Sequence, residues 1–328
     1  MISTGCSVSR PSNDVELTTP LAKGGSILFI VISPSLSNQS VGLEPVTTDP
    51  SADLRRNVAD RWLSLKDDPT RYTLLREYRG KSVYRFAAGL PAAPTIIVKT
   101  WNPGRGSLFR RAKRALVGEL SGCHNEISTL WHLEHAAPGL GAPLGFARFG
   151  DKIVQGQPCE VGLISDLGEC ETVAEYLKRC NASSDLQGLA DIRDFIIASL
   201  RLLVCDANLI DDDHSVINML HSRRDGTFHR IDFEIARKAG TVRWKSRALG
   251  SMLGRLMATC AFACQPDTSW VVSLAAHLQR ELPFMDEPVW LQAQRELDRR
   301  LGAQFERKGI DTRLNVLASD GAAATGER

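Results

Sequence analysis

The chain has 328 residues, enough for one two-lobed domain with flanking tails or for two small domains. Its hydrophobic fraction of 43% and charged fraction of 24% are those of a soluble globular protein, and a formal net charge of +2 excludes no class of partner. The longest apolar run near the start, Ile27–Ile32, is far short of the about 20 helical residues a bilayer needs; with no charged region before it and no cleavage site after it, a cytoplasmic protein is expected. The cysteines (Cys6, Cys123, Cys159, Cys170, Cys180, Cys205, Cys260, Cys264) form no CxxC pair and have no histidine at ligand spacing, so they read as buried free thiols rather than zinc ligands or disulfides.

Residues 1–52 are rich in Ser, Thr, Pro and Gly and read as a flexible tail. Leu54, Val58, Trp62 and Leu65 then recur at helical spacing and predict a short amphipathic helix. Tyr72–Tyr78 and Ser82–Ala87 read as strands flanking Arg79-Gly80-Lys81, and Thr95–Trp101 as a β-branched strand carrying Lys99. A helix is expected through Asn125–Trp131, followed by strands at Leu144–Phe149 and Val161–Ser165. After Gly168 the pattern turns helical, with one long helix through Leu189–Leu203, another through Leu249–Met257 and a third through Trp290–Leu301. Between the first two lies a hairpin: Val216–His221, the turn Ser222–Gly226, then Phe228–Phe233. A β-rich first part joined to a helical second part is an α+β architecture.

The segment richest in chemistry runs Asp211-Asp212-Asp213-His214-Ser215-Val216-Ile217-Asn218. Apolar pairs, Leu209-Ile210 and Met219-Leu220, frame it, and the hairpin returns to Ile231-Asp232-Phe233-Glu234. Three acids alone read as a solvated acidic turn. The long helix before them, the hairpin after them and the apolar frame point instead to a site. The segment is similar to the protein-kinase catalytic loop H-R-D-L-x-x-x-N, with Asp213 at its aspartate and Asn218 at its asparagine, and Asp232 stands where the metal-binding D-F-G has its aspartate. Thr95-Ile96-Ile97-Val98-Lys99 resembles the V-A-I-K strand, and Glu126 follows on a helix from which it can pair with Lys99. The order Lys99, Glu126, Asp213, Asn218, Asp232 carries the likeness; no single residue does.

With these residues the chain resembles the lipopolysaccharide core kinases, including heptose and Kdo kinases, of the protein-kinase-like superfamily, over roughly Tyr72 to Ala263. The resemblance implies a two-lobed kinase fold: a β-rich lobe at 53–165, a helical lobe at 166–316, and a second tail at 317–328. It implies ATP and Mg2+ as cofactors. Asp213 would be the base, Asn218 and Asp232 the metal ligands, and Lys99, Glu126 and the Gly80-Lys81-Ser82 turn the ATP contacts. The departures are specific. Gly80 is the lone glycine of its turn, so Lys81 or Ser82 must substitute for the missing G-x-G-x-x-G; Asp211 and Asp212 replace His and Arg; Glu234 replaces the glycine of D-F-G; and no A-P-E follows.

Arg105, Arg110, Arg111, Lys113 and Arg114 cluster with no acid between Lys99 and Glu119, and Leu108, Phe109, Ala112, Ala115 and Leu116 can line one helical face. That pattern suits an anionic bilayer surface or a phosphorylated glycolipid, and also an ordinary solvated face. Nucleic acid fits poorly because no stacking aromatics interleave with the charges. The leading expectation is a monomeric kinase of a glycolipid sugar, peripheral at the inner membrane. The alternatives are a protein or small-metabolite kinase and a non-catalytic pseudokinase that binds a partner.

Overall fold

The computed structural model describes residues 50–78, 81–101, 122–146, 160–241 and 245–308. Gly80 and the basic cluster Arg105, Arg110, Arg111, Lys113 and Arg114 lie outside the described residues.

Helix α1 (Pro50–Leu65) places Val58 and Trp62, four residues apart, on one face. That face packs on an antiparallel sheet of β1 (Tyr72–Tyr78), β2 (Lys81–Phe86), β3 (Ile96–Trp101) and β4 (Glu160–Ser165), in that order. The β-branched run of β3 explains its place inside the sheet, and its two-residue period divides its side chains between two faces. Ile96 and Val98, both fully buried, join Val58, Trp62, Phe86 and Leu163 in one core. Each such side chain contributes about 1.5–3 kcal/mol of apolar burial. Lys99 is thereby turned to the opposite face, the one towards the helical part of the molecule.

Helix α2 (Gly122–Ala136) directs Ile127, Leu130 and Leu133 into a second, larger core. Strand β5 (Cys170–Thr172) leads directly into α3 (Val173–Ser183), which Thr172 opens with a capping box to Glu175. Helix α4 (Leu186–Arg201) continues as a π-helical turn, Leu202–Asp206, before β6 (Leu209–Asp211). The hairpin is shorter than the sequence suggests. A 3-10 turn (Val216–Asn218) precedes β7 (Met219–Ser222), and β8 (Phe228–Arg230) stops short of Phe233, because Asp232 takes a left-handed conformation with φ of 66°. That backbone cannot continue a strand. β9 (Ala236–Lys238) pairs with β6, so the segment after Asp232 is hydrogen-bonded to the start of the acidic loop.

Helices α5 (Lys245–Cys264), α6 (Ser269–Glu281) and α7 (Glu287–Lys308) complete the helical part. α5 and α7 touch at glycine: a Cβ on Gly254 would lie 2.4 Å from the Ala293 carbonyl oxygen. The strand expected at Leu144–Phe149 is met in part. Gly145 bridges Ile164 of β4, flanked by Phe146 N–H to the Leu163 carbonyl and Ser165 N–H to the Leu144 carbonyl, both at 2.9 Å, while the Gly145 carbonyl on the far side accepts from Arg55 Nε at 3.2 Å and Trp131 Nε1 at 2.7 Å. Residues 147–149 of that expected strand lie outside the described residues. The α+β arrangement itself, an antiparallel sheet followed by helices, is as the sequence implies.

Candidate active site

Three elements meet at Lys99. Its Nζ lies 2.6 Å from Glu126 Oε1, 2.8 Å from Oε2 and 3.0 Å from Asp232 Oδ1. Strand β3 aims the lysine out of the sheet, the first turns of α2 carry Glu126, and the left-handed turn after β8 presents Asp232. Burial by itself would lower the ammonium's pKa, but Glu126 and Asp232 outweigh it and hold Lys99 above its ordinary range. Burial would raise Asp232; Lys99 and then Lys81 reverse that and bring its carboxyl down to about 2. Lys81, at the start of β2, pairs with Glu234 and stands 3.9 Å from Asp232. Ser82 sits beside it in β2, opposite Thr100 of β3.

Asn125 fixes this arrangement from the neighbouring position on α2. Its side-chain amide donates to the carbonyls of Glu234 at 2.9 Å and Ala236 at 2.8 Å, so the helix bearing Glu126 is tied to the loop bearing Asp232.

A second group of residues forms the acidic loop. Asn218 donates its amide to the Asp213 carbonyl at 3.0 Å, closing the loop, and accepts at its own carbonyl from Ile231 N–H at 3.0 Å. The three consecutive aspartates each meet a different arginine. Asp211, fully buried, pairs with the fully buried Arg230 of β8. Asp212 is gripped by Arg237 of β9 at 2.6 and 2.8 Å, and Asp213 pairs with Arg255 of α5. Burial pushes Asp211 up to about 6 against the pull of Arg230. Arg230 also donates to the Asn218 carbonyl at 2.8 Å, to the Ile231 carbonyl and to His214 Nδ1 at 3.3 Å. His214 is fully enclosed, and burial, then Arg230, drives its pKa well down, so it is neutral.

Lys99, Glu126, Asp232 and Lys81 are therefore brought into one network, and Asn218 and Asp213 into an adjoining one linked to it through the hairpin and Arg230. Sequence reading gave no role to Arg230, Arg237 or Arg255. The bare signal available was Arg230, a charge set in the apolar frame two residues before Asp232.

The donor set is all oxygen and suits a hard divalent cation. Asp232, Glu234 and Glu126 offer carboxylate oxygens within 4.8 Å of one another. All three already face lysine ammonium groups, Glu126 and Asp232 that of Lys99 and Glu234 that of Lys81, so a bound Mg2+ would share these carboxylates with them. The two lysine ammonium groups already set positive charge among these carboxylates, as a cation would.

An antiparallel sheet, a buried lysine–glutamate pair, a polar loop and a carboxylate-bearing hairpin thus meet in one α+β architecture. No family model matches the chain and no curated protein matches it. Among solved structures the chain is similar to "WaaP in complex with acyl carrier protein", with a TM-score of 0.44 and 15% identity, over 72% of this chain and 86% of that one.

Proposed function

We propose that the protein is an ATP-dependent phosphotransferase, and that its acceptor is a hydroxyl of an anionic sugar such as that of a glycolipid. The observation that carries this reading is Lys99 held at once by Glu126 at 2.6 Å and Asp232 at 3.0 Å. An ammonium fixed between a helix and a metal-binding carboxylate is placed to meet the phosphates of a nucleotide. Asp213 serves as the base for the acceptor hydroxyl. Asn218 and Asp232 serve as metal ligands, with Glu234 beside them, and Lys81 and Ser82 line the phosphate side from β2. Mg2+, when bound, neutralises the phosphate oxygens. The chain's own groups do the rest: Lys99 orients the nucleotide, Asn125 keeps α2 in step with the Asp232 loop, and Asp213 receives the proton.

The acceptor class rests on the run Arg105, Arg110, Arg111, Lys113 and Arg114, which follows the strand bearing Lys99 and draws anionic headgroups by about 1 kcal/mol per residue near a surface. Among the described residues no helix is long and apolar enough to cross a membrane. The test is transfer of the labelled γ-phosphate of ATP to a panel of glycolipids, neutral sugars and proteins, with and without Mg2+. Metal-dependent labelling of an anionic glycolipid is expected. Labelling of protein or of neutral sugars alone would overturn the acceptor class, and no metal-dependent turnover of ATP at all would overturn the kinase reading.

A further inference from the structure

The loop that bears Asp213 contains no cation of its own. Its neighbours are Asp211, Asp212, the buried His214 and Ser215. Of the two arginines that approach its other acids, Arg230 is engaged with Asp211 and Arg237 with Asp212. The charge opposite Asp213 comes from α5, where Arg255 pairs through Nη2 with Asp213 Oδ1 and donates through Nη1 to the Asp212 carbonyl at 3.2 Å. One planar guanidinium thus grips a carboxylate and the adjoining main chain together, a geometry a lysine's point charge does not reproduce.

The helix beneath is itself fixed. Gly254, the preceding residue, lies against the α7 backbone, where a Cβ would come within 2.4 Å of Ala293 O and 2.7 Å of Glu296 Cβ. One turn on, Thr259 Oγ1 accepts from Val216 N–H at 3.4 Å while donating to the Leu256 carbonyl at 2.8 Å. Residues 255 and 259 lie on one face of α5, and that face touches the loop at both Asp213 and Val216. Asp213 nonetheless stays 30% exposed and Arg255 29%, so the grip leaves the carboxylate open on one side.

We propose that Arg255 is a positioning residue for phosphoryl transfer: it holds Asp213 Oδ1 and the Asp212 carbonyl so that Oδ2 is presented to the acceptor hydroxyl. The inference rests on the assignment of Asp213 as base. It goes beyond that assignment by locating what orients the base in a helix more than forty residues further along the chain. The acceptor's proton passes to Oδ2, its oxygen bonds to the γ-phosphorus, and ADP departs with the electrons of the broken P–O bond. Arg255 stays outside the reacting atoms.

The experiment compares the full-length wild type with Arg255→Ala, Arg255→Lys, Asp213→Asn and the double variant Arg255→Ala/Asp213→Asn. The probe is Mg·ATP with water as acceptor; nucleotide affinity is read by calorimetry and folding by the thermal midpoint. Displacing a catalytic group by about 1 Å costs on the order of 10²-fold. The kcat of Arg255→Ala should accordingly fall roughly 10- to 100-fold, with KM for ATP and nucleotide affinity within about twofold of wild type. Arg255→Lys should recover part of the loss. Added guanidinium ion should restore turnover to Arg255→Ala and not to Asp213→Asn. Because Arg255 acts through Asp213, the double variant should be no slower than Asp213→Asn alone.

Multiplicative losses in the double variant, or full kcat in Arg255→Ala, would overturn the proposal and leave the kinase reading intact. A parallel collapse of thermal midpoint and nucleotide affinity in Arg255→Ala, with no gain from Arg255→Lys or guanidinium, would make Arg255 structural and overturn it as well. Wild-type turnover in Asp213→Asn would instead strike the base assignment, and absence of turnover in the wild type the phosphotransferase reading, and in both cases the proposal falls with them.

Discussion

Arg230 tests how the acidic loop is held. Its side chain and that of Asp211 are both 0% exposed, and the guanidinium also serves the carbonyls of Asn218 and Ile231. Arg230→Met keeps most of the volume and removes the charge. Asp211 is then left with Asp213 N–H, at 3.0 Å, as its remaining strong donor. An uncompensated buried charge costs about 3–5 kcal/mol, or roughly two to four decades in the unfolding equilibrium. The sign of the pH dependence follows from Asp211, whose carboxyl is already pushed up to about 6 in the intact pair, against 3.8 for the free group. A folded-state pKa above the unfolded one means that the folded protein holds the extra proton, so stability falls as pH rises between the two values. Without Arg230 the folded-state value climbs further, and the variant keeps losing stability at pH values where the wild type has levelled off. The assay is urea unfolding at pH 5.5 and pH 8. The variant's penalty should be small at the lower pH and reach the full range at the higher. Asp211→Leu combined with Arg230→Met should recover at least about half of it, since an apolar pair replaces a buried ionic one at little cost. A penalty below about 1 kcal/mol at pH 8, or one that is flat with pH, would refute the account of the pair as a buried charge lock.

The remaining predictions concern the site directly. Asp213→Asn should lower turnover about 10²–10⁴-fold while nucleotide affinity persists, measured by single-turnover kinetics and calorimetry. Asp232→Ala should abolish binding of Mn2+ followed by paramagnetic resonance, whereas Lys99→Ala should keep metal binding and weaken productive placement of ATP. Asp232, held at about 2 against a free value of 3.8, contributes stability that is present above pH 4 and lost as pH falls through 2; acid unfolding of Asp232→Asn should therefore show a shallower loss over that window than the wild type.

What the sequence made legible was whatever local periodicity or a short motif could encode. The β-branched run before Lys99 specified its strand. The spacing of Leu54, Val58 and Trp62 specified a helix, observed as Pro50–Leu65. Tertiary relations were not legible. Arg255 reads as one more cation on a helix, and only the fold brings it to Asp213. Of the strand expected at Leu144–Phe149, residues 144–146 do pair with β4, but the side chains of α1 and α2 that take the far-side Gly145 carbonyl are announced by no local pattern. Helix α6, Ser269–Glu281, went unread although Val271, Leu274, Ala275 and Leu278 mark a buried face at helical spacing.

Two of the departures from the kinase pattern meet in one contact. The turn before β2 lacks the glycines that let a backbone wrap phosphates, and the position after Asp232-Phe233 holds glutamate where D-F-G has glycine. Taken one at a time, each weakens the resemblance. In the folded chain Lys81, from the edge of the glycine-poor turn, pairs with Glu234 and stands 3.9 Å from Asp232. On the proposed kinase reading, this side-chain ammonium serves the phosphates in place of the backbone N–H groups of a glycine-rich turn. Glu234, which adds negative charge beside Asp232, is balanced by that same ammonium and lies 3.8 Å from Lys99. The left-handed backbone that a glycine would relieve falls at Asp232, a residue type that tolerates it, and not at position 234. The glycine after the phenylalanine is therefore not required here by backbone geometry, and the carboxylate that replaces it is matched by the Lys81 ammonium.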